Sequence, residues 1–280
     1  MLVGLCPIRA VQGVFACLVL LSQRVYTCNS TLSSFYGLWY ICVKFTLQEA
    51  AIMTPYTYEH PRPSLTVDVV TFTLRENRLQ VLLIERGEAP YVGMWALPGG
   101  FVLMEESLEE AALRELEEET GLKEAYLEQL YSFGDPDRDP RGRVVTVAYF
   151  ALIPTDAPVR LEGTGEVTQA RWFPLDELPS LAFDHNTIVT YALRRLRYKL
   201  EYSAVGFELL PDEFTLSSLQ YTYELILGEK LDKRNFRRRI LEANVIEPTP
   251  HQRVGEGRPA RLYRYRPDAV AEVKARRLFP

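Results

Sequence analysis

Two periods of hydrophobic and polar positions share this chain, and each stretch of one is bounded by turn residues. Leu65–Leu74 alternates and is rich in Val and Thr. Leu79–Arg86 continues as a second strand after Glu76-Asn77, so a hairpin is expected there. Further strand-like runs lie at Ala125–Phe133, Arg143–Ile153 and Gln169–Phe173. Helices are expected over Ser107–Thr120, Asn186–Leu200 and Thr215–Leu227; the last carries Leu216, Leu219, Tyr223 and Leu227 at helical spacing.

Ser107 with Glu110 reads as a capping box and Gly121 as the C-cap of the first helix. Near the C-terminus, Gly228-Glu229-Lys230 is a short turn, and Asp232 caps a second helix over Lys233–Leu241. Helix, glycine turn and basic helix together read as helix-turn-helix. Val245–Thr249 and Arg261–Arg266 look like two strands around the loop His251–Ala260, the shape of a wing. Phe236 and Ile240 should face inward, leaving Lys233, Arg234, Arg237 and Arg238 to meet phosphates or base edges. The alternative for this region is a basic interaction or dimerisation domain.

Charge supports a division of labour. The 280 residues carry a net charge of −5. From Gly228 onward 14 Lys and Arg stand against 7 Asp and Glu, which leaves 18 against 30 for the rest. An acidic body with a basic tail implies two parts with different partners. The four cysteines (Cys6, Cys17, Cys28 and Cys42) all precede residue 43, with no CxxC pair or interleaved His, which argues against zinc. The apolar run Val14–Leu21 behind Arg9 has a faint signal-peptide character but is too short to span a bilayer. Residues 1–59 are therefore expected to be an N-terminal extension, disordered or an over-read start with Met53 as the true one, on a cytoplasmic protein with no membrane association.

The candidate chemistry is concentrated in Gly99–Leu122. Glu115, Glu118 and Glu119 fall within about a third of the helix circumference, on the side that also carries Ala111 and Ala112. Carboxylates so clustered repel one another unless a cation neutralises them, and hard oxygen ligands suit Mg²⁺ or Mn²⁺. A solvated acidic helix face is the alternative. Arg114 lies one turn from both Glu110 and Glu118, within ion-pair reach of each. The three histidines, His60, His185 and His251, are scattered, and no Ser/His/Asp or Cys/His set is apparent; His185 is expected to cap or pack at a helix start.

The gapped pattern narrows these options. Gly100, five residues, Glu106, seven residues, Arg114-Glu115-Leu116, one residue, Glu118-Glu119, one residue and Gly121-Leu122 resembles the Nudix box at every defined position. The resemblance implies an α/β fold, an α/β/α sandwich with a mixed sheet, and metal-dependent hydrolysis of a nucleoside diphosphate linked to another group. It implies that Glu115, Glu118 and Glu119, with Gly99 beside them, hold metal. Glu115 and Glu119 also count among the catalytic residues, Arg114 orients the glutamates, and Gly100 brings the backbone close. The preceding Arg86-Gly87-Glu88-Ala89-Pro90-Tyr91-Val92-Gly93-Met94-Trp95-Ala96-Leu97-Pro98 resembles the loop that leads into such boxes.

Around the box several residues have two readings. Arg86 can meet a phosphate bidentately or form a surface ion pair. Trp95 can stack on a base or pack beside the sheet. The loop Gly134–Gly142 and its flank supply three arginines, Arg138, Arg141 and Arg143, as candidates to hold a substrate's phosphate or ribose, with Arg141 and Arg143 preferred; a solvated hairpin loop is the alternative. A general base is expected from the loop Asp156–Thr168, either Glu162 or Glu166, with Glu166 preferred.

A Nudix domain followed by a winged helix resembles the Nudix-related transcriptional regulators of NAD metabolism, over roughly residues 60–280. Those regulators sense ADP-ribose, and many have degenerate boxes. The intact box here places hydrolysis of ADP-ribose or a related derivative first, coupled to a DNA-binding domain. A ligand-responsive regulator whose Nudix domain serves mainly as a sensor is the alternative. The expected layout is a Nudix domain over 60–195 and a winged helix-turn-helix over 196–280, working on double-stranded DNA as a homodimer.

Overall fold

The computed structural model of the chain describes residues 15–21, 24–30, 59–156, 167–201, 203–254 and 259–269. They belong to two units, Met1–Pro61 and Arg62–Pro280. In the first, Phe15–Leu21 (β1) and Arg24–Ser30 (β2) pair antiparallel.

The second unit opens with the hairpin of Ser64–Arg75 (β3) and Arg78–Arg86 (β4). Glu76 and Asn77 both take positive φ (51° and 60°), as a two-residue turn matched to strand twist requires. Short strands Trp95–Ala96 (β5) and Gly99–Phe101 (β6) follow, then the helix Leu108–Thr120 (α1). Tyr126–Phe133 (β7), Val144–Leu152 (β8) and Val167–Pro174 (β9) complete one mixed sheet in the order β5-β4-β3-β8-β7, with β6 beside β3 and β9 beside β4. Only the pairing of β3 with β8 is parallel.

Both faces of the sheet are covered. Val67, Val69, Val147 and Tyr149 point to α1, which meets them with Ala111, Ala112 and Leu116. Val70, Phe72, Phe150 and Leu152 point the other way, to the helix His185–Leu200 (α2) and its Ile188, Val189, Ala192 and Leu196. Two covers explain why β3 is buried almost without interruption, although its sequence reads as half-buried alternation. Each fully buried Leu here contributes about 1.5–3 kcal/mol.

The core does not stop at the sheet. It runs on through Leu200, Phe207 and Leu209 into a helix pair, Leu216–Leu227 (α3) and Lys233–Glu242 (α4), and the hairpin Ile246–Arg253 (β10) with Ala260–Tyr265 (β11). The expected boundary at 195/196 therefore falls inside α2, a helix that packs against both parts. Arg197 on α2 donates from Nε to the Ile226 carbonyl at the end of α3 (2.7 Å). β10 extends beyond the expected Thr249 despite Pro248 and Pro250, because it pairs on one side only and its register shifts between Pro248 and Gln252.

Candidate functional site

The acidic helix begins as its sequence demands. Ser107 Oγ accepts the Glu110 N–H, and Glu110 returns to accept the Ser107 N–H (2.8 Å). Gly121 closes the helix at φ 74°, donating to the Glu117 carbonyl. Because Glu110 is spent on the cap, the expected Arg114–Glu110 pair does not form. Arg114 instead donates through Nε and Nη2 to both oxygens of Glu106 (2.8 and 2.7 Å), and through Nη1 to Glu115 (2.8 Å) and Glu118 (3.0 Å). It holds three carboxylates of the box on one guanidinium.

These contacts sort the carboxylates by charge. Arg114, with the Leu103 N–H, holds Glu106 down to about 2. Burial pushes Glu115 up, against the pull of Arg114. Glu119 is pushed furthest, to about 8, by burial and then by the neighbouring Glu115 and Asp68 carboxylates, although the Gly99 N–H donates to it (2.8 Å). Glu118 is 61% exposed and faces Arg114.

Two adjacent glycines allow close approach on different sides, Gly99 to β3 and Gly100 to Glu115 of α1. A Cβ on Gly99, at φ +152°, would sit 2.1 Å from the Val67 carbonyl oxygen. On Gly100 it would sit 2.3 Å from Glu115 Oε1. A Cβ at either position forces a neighbour to move.

Above them opens a cleft. Gly99, Gly100 and Glu119 form one wall, and Arg86 and Arg141 stand at another. Trp95 and Arg143 do not line it. Trp95 pairs with Glu85 through β5 and stacks edge-on against Phe173 (4.6 Å) at the margin of the core, in keeping with the reading that packs it beside the sheet. Arg143 is exposed and turned to the Asp135 and Val144 carbonyls, outside the cleft. Glu162 and Glu166 lie outside the described residues.

The first arginine of the loop before β8 is buried at the cleft between two carboxylates. Arg138 has a side chain only 4% exposed, and donates to both oxygens of Asp184 (2.7 and 3.1 Å) and to Asp68 (3.2 Å). Burial opposes its charge, but the two carboxylates outweigh that and raise its pKa. Beside it, His185 Nδ1 accepts the Leu97 N–H (2.9 Å), so the ring proton sits on Nε2, 3.5 Å from Asp68 Oδ1. Burial lowers the His185 pKa and keeps it neutral. His185 does open a helix, as expected. The available signal was Asp68 itself, a lone acid in an apolar strand, which must find a cation once buried.

The box supplies hard oxygen donors only, and the buried Glu119, crowded by Glu115 and Asp68, is a carboxylate short of a cation. That fits a divalent ion by donor chemistry. Among the described residues, however, no three acidic, His or Cys groups close into a finished coordination shell. Glu115 and Glu118 are turned to Arg114 instead.

The second candidate surface is the helix pair. Gly228 takes φ 78° at the end of α3, and Asp232 caps α4 by accepting the Asn235 N–H (2.8 Å). Phe236 and Ile240 are buried, as their spacing predicts, and Lys233, Arg234 and Arg238 are exposed on the opposite side. Arg237 differs. It is half-buried and donates to Ser217 Oγ on α3 (3.0 Å), tying the two helices together. The hairpin β10–β11 stands beside them, with His251 Nδ1 against Glu213 (2.9 Å). β10 runs through Arg253 into the expected loop His251–Ala260. No helix among the described residues is long and apolar enough to cross a membrane.

A NUDIX domain family model matches residues 64–195, and a model described as the NrtR DNA-binding winged helix domain matches residues 206–265. The chain is 41% identical over 227 residues to the ADPR responsive transcriptional repressor NtrR of Acinetobacter baylyi, covering 80% of this chain and 90% of that one. It is 38% identical over 132 residues to an ADP-ribose pyrophosphatase of Methanocaldococcus jannaschii, covering 47% of this chain and 74% of the relative. The crystal structure of Shewanella oneidensis NrtR complexed with a 27mer DNA matches with a TM-score of 0.66 at 40% identity, over 74% of this chain and 95% of that one.

Proposed function

The chain belongs to the NrtR family, a Nudix domain joined to an NrtR winged helix, and from that premise we propose that it is a DNA-binding regulator whose cleft takes ADP-ribose or a related nucleoside diphosphate derivative. The observation that carries this reading is α2. Its first residue, His185, lines the cleft, its N-cap Asp184 holds Arg138 there, and its last turns hold Arg197 against α3 of the helix pair. One rigid element thus touches both the ligand cleft and the DNA-binding unit. A ligand that prefers one setting of α2 biases the other end.

In the cleft, Arg86 and Arg141 meet the diphosphate, and buried Arg138 offsets the negative wall behind it. On DNA, Lys233, Arg234 and Arg238 of α4 meet phosphates or base edges in the major groove. Residues 60–195 carry the ligand and 196–280 the DNA contacts, in a cytoplasmic protein acting as a homodimer on duplex DNA. The test is a gel shift with genomic fragments, with and without ADP-ribose. Salt-sensitive DNA binding that ADP-ribose alters supports the reading; absence of any DNA affinity removes it.

Metal-dependent hydrolysis is the second reading, favoured by the complete set of Glu115, Glu118 and Glu119. Nudix domains generally use divalent metals. Here the three glutamates and the Gly99 carbonyl would hold Mg²⁺ or Mn²⁺, which supplies charge neutralisation and an activated water when bound. Arg114 keeps Glu106, Glu115 and Glu118 in place, and Glu166 serves as general base. Release of AMP from ADP-ribose by purified protein with Mg²⁺, and its absence in Glu119→Gln, is the measurement.

A further inference from the structure

Phe183 has no role in either reading above, yet it sits in the cleft in a conformation that bulky residues avoid. Its φ is +52°, in the left-handed region, between buried Ala182 and the Asp184-His185 start of α2. Such a residue costs on the order of 1–3 kcal/mol of strain, and strained residues cluster at ligand sites. Asn or Gly would take the same turn at lower cost. The ring must therefore contribute something that the turn alone does not need.

Two of the cleft's three arginines show what that is. The Arg86 guanidinium carbon lies 5.0 Å from the Phe183 ring centroid and that of Arg141 lies 5.8 Å from it. The two come from separate places, the end of β4 and the loop before β8. Each is also steered from its own side: Arg86 Nε donates to the Pro90 carbonyl (2.8 Å), and Arg141 makes a paired contact with Asp139 (2.7 and 3.1 Å). Tyr91 abuts the ring edge-on (4.8 Å) and fixes its tilt. Arg141 also lies 5.2 Å from the Phe101 ring, but among the described residues Phe183 is a ring that both guanidiniums face.

We infer that Phe183 is a positioning residue that sets the spacing of Arg86 and Arg141 as a clamp for the diphosphate of the ligand. A ring face attracts a guanidinium without supplying an anion that would compete with phosphate. Two guanidiniums held at fixed spacing lose less freedom when a diphosphate arrives. This inference rests on the ligand reading above for the identity of the diphosphate, but the clamp itself is a property of the three side chains.

Calorimetry on the full chain in metal-free buffer tests it, with ADP-ribose and inorganic pyrophosphate as probes. Phe183→Leu, which keeps an apolar side chain but removes the flat ring, is expected to weaken both probes by a similar factor, about tenfold. Phe183→Tyr, which restores the ring, is expected to stay within about twofold of wild type. In an Arg141→Lys background the Phe183→Leu loss should shrink, because the pair acts together. Loss of ADP-ribose affinity with pyrophosphate binding unchanged would make the ring a base-stacking platform and overturn the clamp. Unchanged binding of both probes overturns it as well, as does failure of Tyr to rescue a folded Leu variant. Should wild type bind pyrophosphate through Phe183 but not ADP-ribose, the clamp stands and the ADP-ribose reading falls. A wild-type chain that binds neither probe overturns both.

Discussion

Gly99 donates its backbone N–H to the carboxylate of Glu119 across 2.8 Å, twenty residues along the chain. That single bond joins β6 to the last turn of α1 and holds a carboxylate of the box against the cleft. It also fails to keep that carboxylate ionised, since burial and the charges of Glu115 and Asp68 prevail and its pKa stands at about 8.

A pH dependence follows. The folded pKa of Glu119 lies above the ordinary glutamate value of 4.5. Between those two values the folded chain keeps a proton that the unfolded chain has released. The resulting stability is fully present below the unfolded pKa and is lost as pH rises through the folded one. Urea denaturation at about pH 5 and pH 8 should show wild type losing stability relative to Glu119→Gln over that interval. A constant difference between the two proteins would mean that Glu119 is ionised throughout.

The adjacent glycines should fail differently when given a methyl group. In Gly99→Ala the Cβ meets the Val67 backbone oxygen, which has little room to move, so a loss of several kcal/mol in folding stability is expected. In Gly100→Ala it meets the end of the Glu115 side chain, which can swing away. Stability should then fall by only about 1 kcal/mol, while Glu115 leaves its place and any Mg²⁺-dependent turnover drops. Denaturation midpoints and activity, measured on both variants, separate the two cases.

Arg138 should be among the least replaceable residues of the Nudix part. Arg138→Met leaves Asp68 and Asp184 facing each other without their shared cation, a change expected to cost about 3–5 kcal/mol in denaturant unfolding. Arg138→Lys should recover only part of this, because an ammonium cannot reproduce the bidentate contact with Asp184. Full stability of the Met variant would show that the network contributes little.

Exposed and half-buried arginines of α4 should separate on DNA. Arg234→Ala is expected to weaken DNA binding and reduce the salt slope by about 1, with melting unchanged. Arg237→Ala removes the tie to Ser217 and should lower the stability of the helix pair as well. Anisotropy titrations at two or more salt concentrations, paired with thermal melts, distinguish the roles.

Arg197 offers a test of coupling. Arg197→Met keeps the apolar stem of the side chain but removes the bond to the Ile226 carbonyl. Binding of ADP-ribose alone and of DNA alone should remain near wild type. The effect of ADP-ribose on DNA affinity should shrink several-fold, since coupling energies of this kind are about 1–3 kcal/mol. Undiminished coupling would move the route of communication elsewhere.

Much of this was legible from local pattern. The longer strands and the helices of the second unit lie within a few residues of where periodicity places them, because two- and 3.6-residue periods leave their mark directly on the sequence; the short β5 and β6, in and just after the stretch read as a loop, carry no such period. The capping box at Ser107, the glycine caps at Gly121 and Gly228 and the inward Phe236 and Ile240 are likewise local. The glutamates and Arg114 of α1 are legible because one helix carries them all.

Tertiary structure decided the rest, wherever a partner arrives from far along the chain. Arg138 and Arg143 are near neighbours in one loop and look alike in sequence, yet one is buried between Asp68 and Asp184 and the other is exposed. The difference lies in partners 70 and 46 residues away, which no local pattern encodes. Trp95 resembles a ligand contact until β9 brings Phe173 against it. Phe183 is an ordinary aromatic in sequence, and only the meeting of β4, the loop before β8 and the start of α2 sets two guanidiniums over its ring. The sequence by itself determined the elements, their caps and the acidic helix, because those depend on neighbours within a turn or a strand. Which arginines enter the cleft, and that one helix links it to the DNA-binding pair, depends on packing between distant segments, where burial and charge select among residues that the sequence presents as equivalent.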